Sequence, residues 1–136
     1  MLAALLAALA LVQWAGRDRA DFGPGSRDAV EQAVTAAGLR ICAATDVPPD
    51  RSGGSLDGRA YEVADACPGE AATVVVDRYA SAGARDAAAR RFESLVRPRS
   101  SGAVLTLDDA TVLLHGTGDG AVRRRLTAAL RDQGAR

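Results

Sequence analysis

Thr73-Val74-Val75-Val76-Asp77-Arg78-Tyr79 is the stretch that decides the fold of this chain. Consecutive valines have stiff, branched side chains that suit a pleated surface, and a run without polar alternation at its centre belongs to a strand covered on both faces. This places Thr73 to Tyr79 in the middle of a sheet. Tyr61 to Ala66 precedes it as a second strand, with Pro68-Gly69 as the punctuation between them.

Toward the C-terminus, Ser81 is a candidate N-cap for a helix carrying Ala84, Ala88, Phe92, Leu95 and Val96 on one side, which Pro98 stops. Ala103 to Leu107 and Thr111 to His115 flank Asp108-Asp109 at hairpin spacing. Asp119 then caps a last helix with Val122, Leu126, Ala129 and Leu130 on one side. Toward the N-terminus, Pro48 to Gly58 is expected to be a long loop, rich in Pro and Gly. Before it, Leu39, Ile41 and Ala43 alternate with Arg40, Cys42 and Ala44, the period of a strand with one buried face. Ser26 or Asp28 is expected to cap a first helix that carries Val30, Val34 and Ala37 and ends at Gly38.

The order α-β-β-β-α-β-β-α predicts an α+β fold: a two-layer sandwich with a mainly antiparallel sheet of four or five strands and about three helices on one face. The expected core is Val30, Val34, Val74, Val76, Phe92, Leu95, Leu105, Leu113, Leu126 and Leu130. With 136 residues, residues 26–136 hold one small domain, since a second would have too little core.

Ahead of this domain, every residue from Met1 to Val12 is apolar, and the run continues to Gly16 before Arg17, Asp18 and Arg19 end it. Sixteen helical residues span roughly 24 Å, short of the roughly 30 Å hydrocarbon core of a bilayer. Residues 1–16 are expected to be an apolar helix acting as a membrane anchor, with Trp14 at the headgroup level, and residues 17–25, containing Gly23-Pro24-Gly25, a linker. A cleaved signal peptide is the competing expectation, because Ala8-Leu9-Ala10 has the small-x-small form. Against it, nothing basic precedes Leu2, and cleavage would leave Leu11, Val12 and Trp14 at a new terminus. A start site lying further upstream would account for both the short span and the missing basic residues.

Composition excludes some classes. Hydrophobic residues make up 48% and charged ones 25%, the balance of a chain that buries a core. Aromatics are 4%, so the core is built from Ala, Val and Leu. All 17 basic residues are Arg and are matched by 17 acidic ones, whereas a nucleic-acid binder carries a basic excess, so nucleic acid is not an expected partner.

Cys42 and Cys67 are the most informative residues. An even pair behind an exporting or anchoring segment is most economically a disulfide, and closing a loop of roughly 26 residues stabilises by about 3.5 kcal/mol on the chain-entropy model. The bond places the domain outside the cytoplasm, while Arg17 and Arg19 beside the anchor favour the inside. The cysteines are given the greater weight.

The remaining polar groups carry no complete motif. A metal would need Cys42, Cys67 and His115 to converge with a fourth ligand, and none shows the spacing, so no metal or other cofactor is expected. His115 ends a strand and suits a half-exposed position. Gly116-Thr117-Gly118-Asp119-Gly120 opens a helix, but it lacks the βαβ context of a phosphate loop, and Asp119 would repel the anion. Asp46 with Asp50, Glu62 with Asp65, and Asp108-Asp109 suit loops, strand edges and a turn; no nucleophile or base stands beside them, so no catalytic residue is assigned. Arg123-Arg124-Arg125 suits a solvated helix face, or a surface meeting anionic lipid if the domain faces the cytoplasm. The expected function is a membrane-tethered, non-catalytic interaction module or accessory subunit, held to lipid through residues 1–16 and bound to a protein partner. The alternatives are a small enzyme of unrecognised class and an extracytoplasmic small-ligand binder with Pro48 to Gly58 as a lid.

Overall fold

The computed structural model describes residues 25–50, 52–97, 102–116 and 120–136. The anchor expected at residues 1–16 and nearly all of the linker lie outside the described residues, as do Pro98 and Asp119. Eight elements follow in the order α1 (Ser26–Ala36), β1 (Arg40–Val47), β2 (Ser55–Ala64), β3 (Ala71–Tyr79), α2 (Ala82–Val96), β4 (Gly102–Leu107), β5 (Ala110–Gly116) and α3 (Ala121–Asp132). The strands form one sheet in the order β1-β2-β3-β5-β4, and every neighbouring pair is antiparallel. The valine run is therefore the central strand, and the α+β class, the three helices and the antiparallel sheet stand as expected.

Alternation along the strands sorts the side chains onto two faces. Val74 and Val76 of β3 share a face with Tyr61 and Val63 of β2, Val112 and Leu114 of β5, and Leu105 and Leu107 of β4, as the pairing register requires. All are buried and form one cluster with Val30, Ala33 and Val34 of α1 and Leu126, Ala129 and Leu130 of α3. Two helices thus cover this face and touch each other.

The opposite face carries Val75, Asp77, Tyr79, Thr111 and Leu113, and here α2 packs against β3, β5 and β4. Its Arg91 stands near Tyr79, and a Cβ on Gly102 would lie 2.8 Å from Val96 Cγ1. Of the three helices expected on one face, two are there and α2 lies behind the sheet. The core expectation changes with it. Val30, Val34, Val74, Val76, Leu105, Leu126 and Leu130 are buried. Leu113 and Phe92 are half-buried, because they belong to the thinner second layer, and Leu95 is 66% exposed on the flank of α2.

Local chemistry accounts for most boundaries. Gly38 takes φ +70°, and the pair of bonds from Gly38 N to Thr35 O and from Leu39 N to Val34 O closes α1 in a Schellman motif that turns Leu39 into the core. At its other end α1 is capped by Gly25, with no side-chain cap, and Ser26 is fully buried inside the helix. Ser81 caps α2 as expected, its Oγ accepting from Ala84 N at 3.2 Å. Asp108 and Asp109 form the two-residue turn of the β4–β5 hairpin, with Asp108 at φ +50°. Gly120, not Asp119, occupies the N-cap of α3.

Two strand expectations are corrected. β2 begins at Ser55 and not at Tyr61, so the loop is shorter than its Pro/Gly content suggested. Gly58 lies within the strand, because a Cβ there would sit 2.5 Å from Asp77 Oδ1 and 3.2 Å from Val47 Cβ. β1 runs on to Val47, and none of its residues is buried, contrary to the one-sided burial that Leu39, Ile41 and Ala43 suggested. β1 is the outermost strand of the sheet and gives no residue to the buried cluster, although α1 approaches it.

Candidate interaction surface

The two outer strands end the sheet differently. Along β4, Arg136 exchanges two backbone hydrogen bonds with Thr106, N to O at 2.9 Å and O from N at 2.7 Å, so this edge is occupied at its centre. Ala135, just before it, is buried in the core. Along β1 the outer backbone edge has no strand beside it among the described residues. Seven of its eight residues are exposed, the last is half-buried, and the side chains at its middle are Ala43, Ala44 and Thr45. With Arg40 and Asp46 only near its ends, an edge whose middle residues are small and uncharged presents N–H and C=O groups to an extended chain.

Three features position this edge. Cys42 and Cys67 form a disulfide, with Cα atoms 5.7 Å apart, which ties β1 to the turn between β2 and β3. Both residues are exposed. The β1–β2 register shifts between Ile41 and Ala43, so a bulge falls at Cys42, and the covalent bond stands where the ladder is interrupted. At the other end, Arg59 Nη1 donates to Asp46 Oδ1 at 2.9 Å, an exposed ion pair worth little by itself. Pro48-Pro49 then ends the strand, since proline cannot continue the ladder.

The loop after β1 is bonded to itself. Asp50 Oδ1 accepts from Ser52 N at 3.1 Å and from Ser52 Oγ at 2.7 Å, and Ser55 N donates to Asp50 O. These bonds, the Ser52 hydroxyl first and the Gly53 N–H next, hold the Asp50 carboxyl below its ordinary range. Asp77 lies close by on the face of α2. Burial pushes its carboxyl up, and the charges of Asp50 and Asp57 push it the same way.

The same end of the domain holds a line of charges on the main-core face. Arg27 Nη2 of α1 donates to Asp57 Oδ1 at 3.0 Å; Arg78 Nη1 donates to Asp57 Oδ2 at 3.0 Å, and its Nε to Asp109 Oδ2 at 2.9 Å. Burial works against the Arg78 charge, but Asp109 and Asp57 more than offset it and raise its affinity for the proton. The line links α1, β2, β3 and the β4–β5 hairpin, and Tyr79 N donates to Asp109 O at 2.8 Å beside it. Arg85 of α2 donates to Asp108 O. Farther along the core face, the Tyr61 hydroxyl donates to Glu31 Oε1 at 3.1 Å. Burial first, and then this carboxylate, push the phenol up to about 12.

The structure disperses the other sequence candidates. His115 is exposed on β5, opposite Thr73 and Gly102. Glu62 accepts from Thr73 Oγ1 at 2.9 Å across β2 and β3. Asp65 pairs with Arg125, whose other nitrogen donates to Ala37 O and so joins α3 to the end of α1. Asp108-Asp109 is the hairpin turn, with Asp109 turned into the charge line. Among the described residues no group of three or more His, Cys, Asp or Glu side chains gathers as for a metal ion. The line through Arg27, Asp57, Arg78 and Asp109 was not anticipated. Its members lie 21 to 31 residues apart in pairs, and only the strand register could have revealed it.

No protein-family model matches the chain, and no curated protein or solved structure is similar to it.

Proposed function

We propose that this chain is a membrane-tethered, non-catalytic interaction module, an accessory subunit whose domain lies outside the cytoplasm and receives an extended segment of a protein partner along β1. The observation that carries the reading is the contrast between the edges: β4 is occupied by Arg136, while β1, eight residues long and stapled by a disulfide, has no strand on its outer side among the described residues. Main-chain pairing of this kind supplies affinity, and the exposed small side chains of β1 place few steric demands on the incoming strand. The disulfide supports an oxidising compartment. The apolar run Met1 to Ala15 supports the tether, with lipid as its solvent through residues 1–16. Among the described residues no helix is long and apolar enough to cross a membrane, so the tether rests on that run.

Co-purification from native membranes tests the reading. A stable partner that is retained by the intact chain and lost when prolines are placed in β1 at positions whose N–H faces away from β2 is the expected result. A lone monomer that turns over a metabolite would replace the module with the enzyme reading. A carbonate wash addresses the tether separately: full-length protein should stay with the membranes, and quantitative release into the soluble fraction would refute the anchor.

A further inference from the structure

The core of the domain is complete without β1. The buried cluster draws on α1, Leu39, β2, β3, β4, β5 and α3, and on no residue from 40 to 47. Among the described residues β1 is held by one ladder to β2, broken by the bulge at Cys42, by the Cys42–Cys67 bond at that break, by the exposed Arg59–Asp46 pair and by its approach to α1. A strand pairing on one side with no buried side chain is marginal in water. The bond that restrains it joins two residues that are both exposed, so an attacking thiolate can reach it without the domain unfolding.

We infer that the exposed Cys42–Cys67 disulfide is a redox latch that orders β1 for docking when oxidised and releases it when reduced by a dithiol. The inference rests on the reading of β1 as the docking edge and adds the regulation of that edge. The chemistry balances within the pair of reactants. A thiolate of the dithiol attacks one sulfur, forming a mixed disulfide and expelling the other cysteine as a thiolate. The second thiol of the reductant then closes its own disulfide and frees the first cysteine. Two electrons and two protons pass to Cys42 and Cys67, and the dithiol leaves as a disulfide. Reduction reopens a loop of 25 residues' separation, which returns conformational freedom to β1 while β2 to β5 keep their packed faces.

Hydrogen exchange on the full chain in detergent, oxidised and then reduced with dithiothreitol, tests the latch. The amides of residues 40–47 that bond to β2, and those of residues 58–64 that face them, should exchange about 100-fold faster after reduction. Those of residues 71–79 and 110–116 should keep their protection. The Cys42→Ser/Cys67→Ser variant should reproduce the reduced pattern without reductant. If β1 protection is unchanged, the latch is refuted; if every strand loses protection together, the bond holds the whole domain and the latch is refuted as well. Because this readout needs no partner, its failure leaves the interaction reading standing. A partner retained equally by oxidised and reduced chain removes the regulation alone.

Discussion

Asp77 shows what a single side chain does in this fold. It has no hydrogen-bond or ion-pair partner among the described residues, it is half-buried against Gly58, and its carboxyl is raised by burial and by Asp50 and Asp57. A group whose folded value lies above its unfolded one stabilises the fold while protonated, and loses that contribution as pH rises through the folded value. Asp77→Asn should therefore raise the melting temperature at neutral pH. Its advantage over the parent should shrink as pH falls below the raised value toward the ordinary 3.8, which paired thermal scans from pH 3 to 7 would show. Burial sets the other residue-scale expectations. Leu114→Ala and Leu126→Ala, both with no exposed surface, should each cost about 2 to 5 kcal/mol in chemical denaturation. Leu95→Ala should stay within about 0.5 kcal/mol of the parent, because Leu95 faces solvent. Helical spacing correctly put Leu95 near Phe92 but could not say how much sheet lies beneath them, which is why both were wrongly placed in the core.

At the scale of elements, the legible boundaries were those whose cause is local. Ser81, Gly38 and Asp108-Asp109 act on backbone groups within a few residues, so their roles can be read from the chain alone. Ser81→Ala should cost about 1 kcal/mol by removing the bond to Ala84 N, as denaturant titration would register. The start of β2 and the exposure of β1 depend instead on partners far away in sequence. Gly58 looks like a loop residue until Asp77 is set across from it, and Ile41 looks like a core residue until β1 is seen to be the outer strand of the sheet, where Ile41 is 37% exposed. The placement of α2 has the same origin. β3 and β4 are parallel, each being antiparallel to the β5 between them, and the crossover that joins them has to pass over one face. Alternation of patterns identified the helix, but not which face it would take.

For the whole molecule, the α+β class and the Cys42–Cys67 pairing were both present in the sequence, because they follow from periodicity and parity. The contrast between the two edges was not, since it depends on Arg136 folding back along β4 and on β1 having no further strand beside it among the described residues. The account of function joins that edge to the disulfide and to an oxidising location, and the disulfide is the part on which the others depend. Protein taken from its native host, alkylated without reductant under denaturing conditions and weighed intact, measures it directly. The account predicts no added alkyl group before reduction and two after it. Two alkylated cysteines before reduction would contradict the bond in the cell, and would leave Arg17 and Arg19 to place the domain in the cytoplasm.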